Sequence, residues 1–226
     1  MWAASPPDRA LRRRRRTRNC GEIPVIRGIR LHKPDAVVSI DTRRGIVAEA
    51  AIEAGASIIN DVSGFRDDPA MVDLAREAET GLIVMHMLGR PGTMQENIRY
   101  QSFPGDIHDF FRERLRFLEN AGIARDRIVI DPGIGFGKTF DQNLVLINRL
   151  DGFRDLGVPI LVGPSRKAFL GKILYEPVAA RRDGGTAAVV VAAVLRGASI
   201  VRVHDVPRTV EACKVADAIV RERAVP

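Results

Sequence analysis

Cysteine and tryptophan are scarce in this chain, and apolar runs long enough to cross a membrane are missing. Its 226 residues include one tryptophan and two cysteines, Cys20 and Cys213, which lie too far apart for metal-ligand spacing. No apolar run reaches the 18 residues that a membrane span needs, and the first twenty residues hold no signal-peptide core. We therefore expect free thiols, a cytoplasmic location and no membrane partner.

Acidic residues are also scarce at the start of the chain, where most of the net charge of +7 resides. Residues 1–20 hold seven arginines and a single acid, Asp8, so this segment carries +6 and residues 21–226 carry +1. A run of five arginines can bind RNA or DNA. Since the body of the chain is nearly neutral, we instead expect a disordered tail over 1–20 and no specific nucleic-acid partner.

The stretch DPGIGFGKTFDQN at 131–143 looks like a phosphate-binding loop but lacks the required spacing. A P-loop needs a glycine five positions before its Gly-Lys pair, and Pro132 stands there without an N–H to offer. The dinucleotide fingerprint fails as well, because the glycines fall at 133, 135 and 137. We expect the glycines to bring backbone close to a ligand, and Lys138 and Thr139 to lie on the loop surface.

Six β-branched apolar runs alternate with helical patterns along the chain. Each run is almost entirely apolar, as in strands that are buried on both faces of a parallel sheet. The intervening segments show helical periodicity, and the apolar stretch 186–195 is predicted to be a buried helix. Six such units fit an open doubly wound sheet or part of an eight-stranded (β/α) barrel. The predicted strands lie within 36–42, 57–64, 81–88, 127–133, 159–167 and 199–205.

Polar residues stand at or just past the carboxyl end of every predicted strand. Barrel enzymes carry their sites at this edge, so we expect one shared pocket. Its acids and amide would accept from the N–H groups of a heterocycle, and its basic residues would bind an anion such as phosphate or carboxylate. The residues concerned are Asp41, Asn60, His86, Asp131, Ser165, Lys167, Arg202 and His204.

Each of these residues also has a purely structural interpretation. Asp41 is well placed to cap a helix that starts near Arg43, and Asn60 with Asp61 suits a turn. Arg202 and His204 alternate with valines, as on the polar side of an edge strand. His86 is typical of a hydrogen-bonded core histidine. It is the common position at six strand ends that favours a site.

Six ordered stretches resemble dihydropteroate synthases, a family of pterin-binding TIM barrels. The resemblance covers about residues 21–222 and implies an α/β fold of the (β/α)8 type, a homodimer and a role in folate biosynthesis. The implied transferase activity joins a dihydropterin methyl diphosphate to 4-aminobenzoate and releases diphosphate. The matching stretches are SIDT, GASIINDVSG, MHMLGRPGTMQ, DPGIGFGKTFDQN, GPSRKAFLG and RVHDV.

The resemblance also implies roles for individual residues. Asp41, Asn60, Met85, Asp131 and Lys167 would hold the pterin; Arg202, His204 and the backbone at Val203 would take the diphosphate; Phe136, Ser165 and Lys167 would border the aminobenzoate. The implied catalysis is electrostatic, without a covalent enzyme intermediate, and would use Asp41, Asp131, Lys167, Arg202 and His204.

The chain departs from the family before the SIDT strand. Members have two further strand–loop units there, one resembling N-V-T-P-D-S-F-S-D-G and one resembling G-G-E-S-T-R-P, and neither occurs here. We expect a partial pterin-binding barrel over 21–226 with about six of eight units. The family's Mg²⁺ ligand loop is among the missing parts. A non-catalytic pterin-binding remnant and a pterin-dependent methyltransferase-like domain remain alternatives.

Expression with and without a restored upstream segment tests this expectation. Without it, two strand edges would expose unpaired N–H and C=O groups, so we predict weak stability or aggregation and low or no synthase activity. The measurement is soluble yield and the rate of dihydropteroate formation. Full activity of the short chain would contradict the prediction.

Overall fold

Six parallel β-strands, each followed by a helix, make up the described part of the chain. The computed structural model describes residues 21–223, so the predicted disordered tail at 1–20 lies outside the described residues and remains a prediction. The strands are β1 (Ser39–Asp41), β2 (Ile58–Asp61), β3 (Gly81–Met85), β4 (Ile128–Asp131), β5 (Leu161–Val162) and β6 (Ile200–Val201). All six lie inside the segments predicted from the sequence.

Eight α-helices accompany the strands within residues 21–223. They are α1 (Glu22–His32), α2 (Gly45–Glu53), α3 (Ala70–Glu77), α4 (Gly105–Asn120), α5 (Phe140–Asn148), α6 (Ala168–Leu174), α7 (Asp183–Leu195) and α8 (Val206–Arg221). Short 3₁₀ turns occupy Arg125–Arg127, Leu150–Leu156 and Ala179–Arg181. No helix of the described segment is long and apolar enough to cross a membrane.

The strands pair in chain order, which brings their carboxyl ends to one edge. Strands β1 to β4 form a parallel sheet in which Asp41 is opposite Asn60 and Met85 is opposite Asp131. Strands β5 and β6 pair in parallel, and a bridge between Ile130 and Ile160 joins them to β4. Because neighbouring registers are matched at these ends, the predicted site residues share one rim.

The sheet curls as in a barrel. In a flat sheet of six strands the outermost two would stand about 24 Å apart, well beyond the reach of one arginine side chain. Yet Arg202, which follows β6, places its Nη1 atom 3.4 Å from Oδ2 of Asp41 at the end of β1. Among the described residues no backbone pairing closes the ring between β6 and β1. This arrangement agrees with the expected barrel-type fold with six of eight units.

Local sequence explains where several helices begin and end. Thr139 starts α5 with a reciprocal capping box, since its side chain accepts from the Gln142 N–H and the Gln142 side chain accepts from the Thr139 N–H. Asp205 caps α8 and Pro207 lies in its first turn. Left-handed glycines follow helical segments at four positions, Gly55, Gly122, Gly157 and Gly197.

One continuous apolar core lies between the sheet and the helices. On α4, for example, Ile107, Phe111, Leu115 and Leu118 are all buried, at the spacing of one helical face. The prediction of a buried helix at 186–195 is only partly right. Within α7 only one face is covered, and Leu195 remains 47% exposed at its end.

Candidate active site

One arginine links the ends of the first, fourth and last strands. Arg202 places its Nη1 atom 3.4 Å from Oδ2 of Asp41 and its Nη2 atom 3.7 Å from Oδ2 of Asp131. Asn60 completes this group at the end of β2 by donating from Nδ2 to Oδ2 of Asp41 at 2.9 Å. Four of the predicted residues therefore form a single connected cluster at the rim.

Asp131 lies at the bottom of this cluster and is 1% exposed. Burial raises the pKa of its carboxyl group, and the N–H of Gly133, which donates to Oδ1 at 2.8 Å, opposes that effect. The positive charges of Arg202, Lys138 and Lys167 oppose it further. A carboxylate in such a setting is a strong acceptor for ligand N–H groups and a source of negative potential.

Asn60 has an unused acceptor. The residue is 2% exposed, and its Oδ1 atom is one of three buried side-chain atoms without a hydrogen-bond partner among residues 21–223. A buried polar atom left unpaired costs about 1–3 kcal/mol. A ligand that donates an N–H to Oδ1 would remove this cost.

Ser165 and His204 join the ends of β5 and β6. The Ser165 Oγ and His204 Nδ1 atoms share a hydrogen bond of 2.7 Å, and the His204 backbone N–H donates to the same Oγ at 3.2 Å. Val203 lies between His204 and Arg202, half-buried. This second group borders the first through Arg202.

A strained arginine orients the residues on either side of it. Arg166 has a left-handed backbone, with φ of 58°, in which non-glycine residues are uncommon. Its guanidinium donates two hydrogen bonds of 2.8 Å to Asp183 on α7, and these bonds lower the pKa of Asp183. The tie to α7 holds the turn whose flanking residues, Ser165 and Lys167, belong to the predicted site.

The glycine-rich loop after β4 packs against the end of β3. A Cβ atom on Gly133, where φ is 72°, would stand 2.0 Å from the carbonyl oxygen of His86. A Cβ atom on Gly137 would stand 2.6 Å from the Cβ atom of Leu88 and 2.9 Å from its backbone nitrogen. These glycines therefore allow a close approach of the loop to the backbone at the end of β3; their predicted approach to a ligand stays a prediction. At Gly135 the close neighbour is Lys167.

Phe136, at the tip of this loop, forms a wall for Lys167. The Lys167 Nζ atom lies 4.0 Å from the centre of the Phe136 ring, a cation–π contact. Burial lowers the pKa of Lys167, against the opposing effect of Asp131. Next to them is a cavity of about 450 Å³, whose lining includes Gln95, Gly135, Lys138, Asn143, Lys167 and Lys172.

Met85 and His86 lie inside the protein at the end of β3. Met85 is fully buried opposite Asp131, and the His86 N–H donates to the Asp131 carbonyl oxygen at 2.9 Å. His86 is a hydrogen-bonded core histidine, as its structural interpretation held. Burial, with the charges of Lys138 and Arg66, lowers the pKa of His86 to about 2, so its ring is neutral.

The structural alternatives for Asp41 and Arg202 do not hold, and the one for Asn60 with Asp61 holds only for Asp61. Asp41 caps no helix, because α2 starts after Arg44 and its first N–H is bonded to Asp68. The turn after β2 is made by Asp61 alone, whose carboxylate accepts from the backbone at 63 and 65, while Asn60 stays in the strand. Arg202 lies beyond the end of β6 rather than along its edge.

Three residues important to this region were not predicted as such. Lys138 was expected at the loop surface, and this was wrong: it is 3% exposed, beneath the loop. Asn143 accepts from the Gly135 N–H at 2.6 Å and donates to the Thr139 carbonyl. Arg166 forms the tie to Asp183. The only signal in the sequence was the spacing of Thr139 and Asn143, which are one helical turn apart and so can form the hydrogen bond between them.

The described residues do not supply a metal-binding set of their own. Between residues 21 and 223, no three His, Cys, Asp or Glu side chains gather closely enough to hold a metal ion. Asp41 and Asp131 instead face Arg202. Magnesium therefore remains a prediction that rests on the family resemblance alone.

Comparison with known proteins gives consistent matches. Residues 21–204 match the family model described as "Pterin binding enzyme". The dihydropteroate synthase of Synechocystis is 43% identical over 199 residues, which cover 88% of this chain and 68% of that protein. The chain thus spans about two thirds of the length of such curated relatives.

Solved structures match as well. A dihydropteroate synthase from Yersinia pestis, in a sulfonamide drug complex, superposes with a TM-score of 0.85 at 34% identity and covers 89% of this chain and 72% of that one. The dihydropteroate synthase from Xanthomonas albilineans, in complex with 7,8-dihydropteroate, superposes with a TM-score of 0.81 at 37% identity. The match covers 90% of this chain and 73% of that one.

A pair of glycine substitutions tests the packing of the loop. Gly133→Ala combines a left-handed φ with a clash against the His86 carbonyl, so we expect a loss of about 1–3 kcal/mol in the free energy of unfolding. Gly28→Ala is the control: it lies inside α1 with open space around it and should stabilise by about 0.5–1 kcal/mol. Urea denaturation measures both. Equal stability of Gly133→Ala and the parent chain would refute the described packing.

Proposed function

Because the chain belongs to the dihydropteroate synthase family of pterin-binding enzymes, we propose that its rim binds a dihydropterin methyl diphosphate. We further propose that the site is arranged to join this substrate to 4-aminobenzoate and release diphosphate, at the low rate expected of a chain without the two upstream strand–loop units. The proposal concerns the activity of a chain that spans about two thirds of its relatives.

The unpaired Oδ1 atom of Asn60 is the observation that carries the pterin assignment. It is a buried acceptor without a partner in the described residues, beside the acceptors of Asp41 and Asp131. A pterin ring presents N–H and amino groups along one edge, which match three adjacent acceptors. Met85, fully buried between β2 and β4, supports the apolar side of such a pocket.

Basic groups beside these acceptors support the diphosphate assignment. Arg202 is 40% exposed at its side chain, so its guanidinium is accessible to an anion while it also contacts Asp131. His204 and the backbone at Val203 lie next to it. Guanidinium and imidazolium groups donate charged hydrogen bonds to phosphate oxygens.

The proposed reaction is a substitution at the pterin methylene carbon. The amine nitrogen of 4-aminobenzoate forms the new C–N bond and then loses a proton, while the C–O bond breaks and its electron pair leaves with diphosphate. Asp131 and Asp41 stabilise positive character at that carbon, and Arg202 and His204 stabilise the departing anion. Phe136, Ser165 and Lys167 border the incoming aminobenzoate.

No step of this scheme is assigned to magnesium. We also propose a cytoplasmic location, which the free thiol of Cys213, half-buried on α8, supports.

A charge-to-amide substitution tests the pterin assignment. Asp131→Asn keeps the shape but loses the negative charge, so affinity for the dihydropterin methyl diphosphate should fall about 10- to 100-fold. Asp126→Asn, exposed in the 3₁₀ turn before β4, is the matched control and should bind like the parent chain. Isothermal titration calorimetry measures both affinities, and the rate of dihydropteroate formation is followed in parallel.

The possible outcomes separate the alternatives. Unchanged affinity and turnover in a folded Asp131→Asn variant would contradict the role given to this carboxylate. Binding of the diphosphate substrate by the parent chain without any condensation would favour the non-catalytic remnant instead of the synthase.

We also propose that the chain forms a homodimer. Large apolar side chains remain 45–60% exposed along α8, at Val210, Val215 and Ile219, as is typical of interaction surfaces. Light scattering should give twice the monomer mass, and the combined Val215→Glu and Ile219→Glu substitutions should reduce it to the monomer. Val37→Glu, at another exposed valine, is the control. A parent chain that is monomeric at every concentration tested would refute the proposal.

A further inference from the structure

Lys138 is a buried base that the proposed reaction does not use. Its Nζ atom donates to the Phe136 carbonyl oxygen at 3.0 Å and lies 3.1 Å from Nδ1 of His86. Because His86 is neutral, its Nδ1 atom is available as the acceptor of this second bond. Lys138 thus ties the loop after β4 to the end of β3 through His86, whose carbonyl oxygen also accepts from Nζ at 3.5 Å, and it braces the loop internally through the Phe136 carbonyl.

The charge of Lys138 is held in unfavourable surroundings. Burial, together with the charge of Lys167, lowers its pKa to about 7 against the opposing effect of the Asp131 carboxylate. His86, the other titratable group in contact with it, carries no charge near neutral pH. A buried lysine that loses so much solvation is costly to stability, so a functional reason for it is worth seeking.

The position of Lys138 connects it to two residues of the proposed pocket. Its bond to the Phe136 carbonyl fixes the residue whose ring carries the Lys167 ammonium, 4.0 Å away. Its charge also acts on Asp131, together with those of Arg202 and Lys167, as part of the positive field that favours the ionised carboxylate. Neither effect requires Lys138 to touch a substrate.

We propose that Lys138 is a positioning residue: its ammonium fixes the Phe136 loop against β3 and, through its charge, strengthens the binding of the anionic pterin substrate. The effect on substrate binding rests on the proposed function, whereas the fixing of the Phe136 loop concerns the protein alone. Proton loss from Lys138 near neutral pH then makes substrate affinity depend on pH.

The hydrogen bonds by which Lys138 holds the Phe136 loop against β3, here called the tether, can be tested without any ligand. In Lys138→Met, amide hydrogen exchange over residues 133–137 should accelerate about tenfold or more, because the bond within the loop to Phe136 and the bonds that join the loop to His86 are lost. Lys33→Met removes an exposed lysine at the end of α1 and should leave this exchange unchanged. Unchanged loop exchange in Lys138→Met would overturn the tether. Should that variant fail to fold, Lys138→Gln carries the same test.

Stability against pH gives a second ligand-free readout. The folded-state pKa of Lys138, about 7, is below its unfolded value, so the unfolded chain binds more protons above pH 7. The parent chain should therefore gain stability relative to Lys138→Met as the pH rises from 7 to 9.5. Parallel stability curves for the two proteins would show that the buried lysine is not titrating as proposed.

Substrate affinity against pH tests the role of the charge. In calorimetry with the dihydropterin methyl diphosphate, Lys138→Met should bind this ligand about tenfold more weakly than the parent chain at pH 6. At pH 8.5 the difference in affinity should shrink to about threefold or less. Lys33→Met should match the parent at both values. If the ratio of the two proteins' affinities is the same at both pH values, the charge effect is refuted and the tether is unaffected. No binding by the parent chain would refute the proposed function and the charge effect together, while loop exchange would still decide the tether.

Discussion

The contact of Arg202 with Asp41 and Asp131 is the interaction on which the rest of this structure depends. A single guanidinium after the last strand reaches carboxylates at the ends of the first and fourth strands. It shows that the sheet curls, and it shows that acids and bases from distant parts of the chain meet at one rim. Without that convergence, the same side chains would be isolated polar residues at strand ends.

The site combines groups that stabilise one another's charge in a place from which water is largely excluded. Asp131 and Lys138 are almost completely buried, and the pKa of each is shifted toward its neutral form by that burial. The mutual attraction of the two groups opposes both shifts. Arg202 and Lys167 also oppose the shift of Asp131, whereas Lys167 adds to that of Lys138. Charges held in this way are costly to fold, but they produce a strong local field for a ligand that carries both ring N–H groups and an anion.

The strands and the rim could be predicted from the sequence because each depends on residues that are adjacent in the chain. Apolar runs ending in Asp41, Asn60 or Asp131 identify a strand and its exit together. Lys138 could not be found in this way, since its burial depends on His86, more than fifty residues earlier. The packing of Gly133 could not be predicted either, because the His86 carbonyl that leaves no room for a Cβ atom there lies far away in the sequence. The tie of Arg166 was missed for the same reason, because its partner Asp183 lies on a later helix.

The central claim is that Arg202 closes a rim which binds pterin on one side and diphosphate on the other. The most direct test is calorimetry of the parent chain and of Arg202→Met with two ligands, the dihydropterin methyl diphosphate and the same pterin with a free hydroxymethyl group. The account predicts that Arg202→Met loses about tenfold or more in affinity for the diphosphate ligand and clearly less for the hydroxymethyl pterin. Equal affinities of the two proteins for the diphosphate ligand would contradict it.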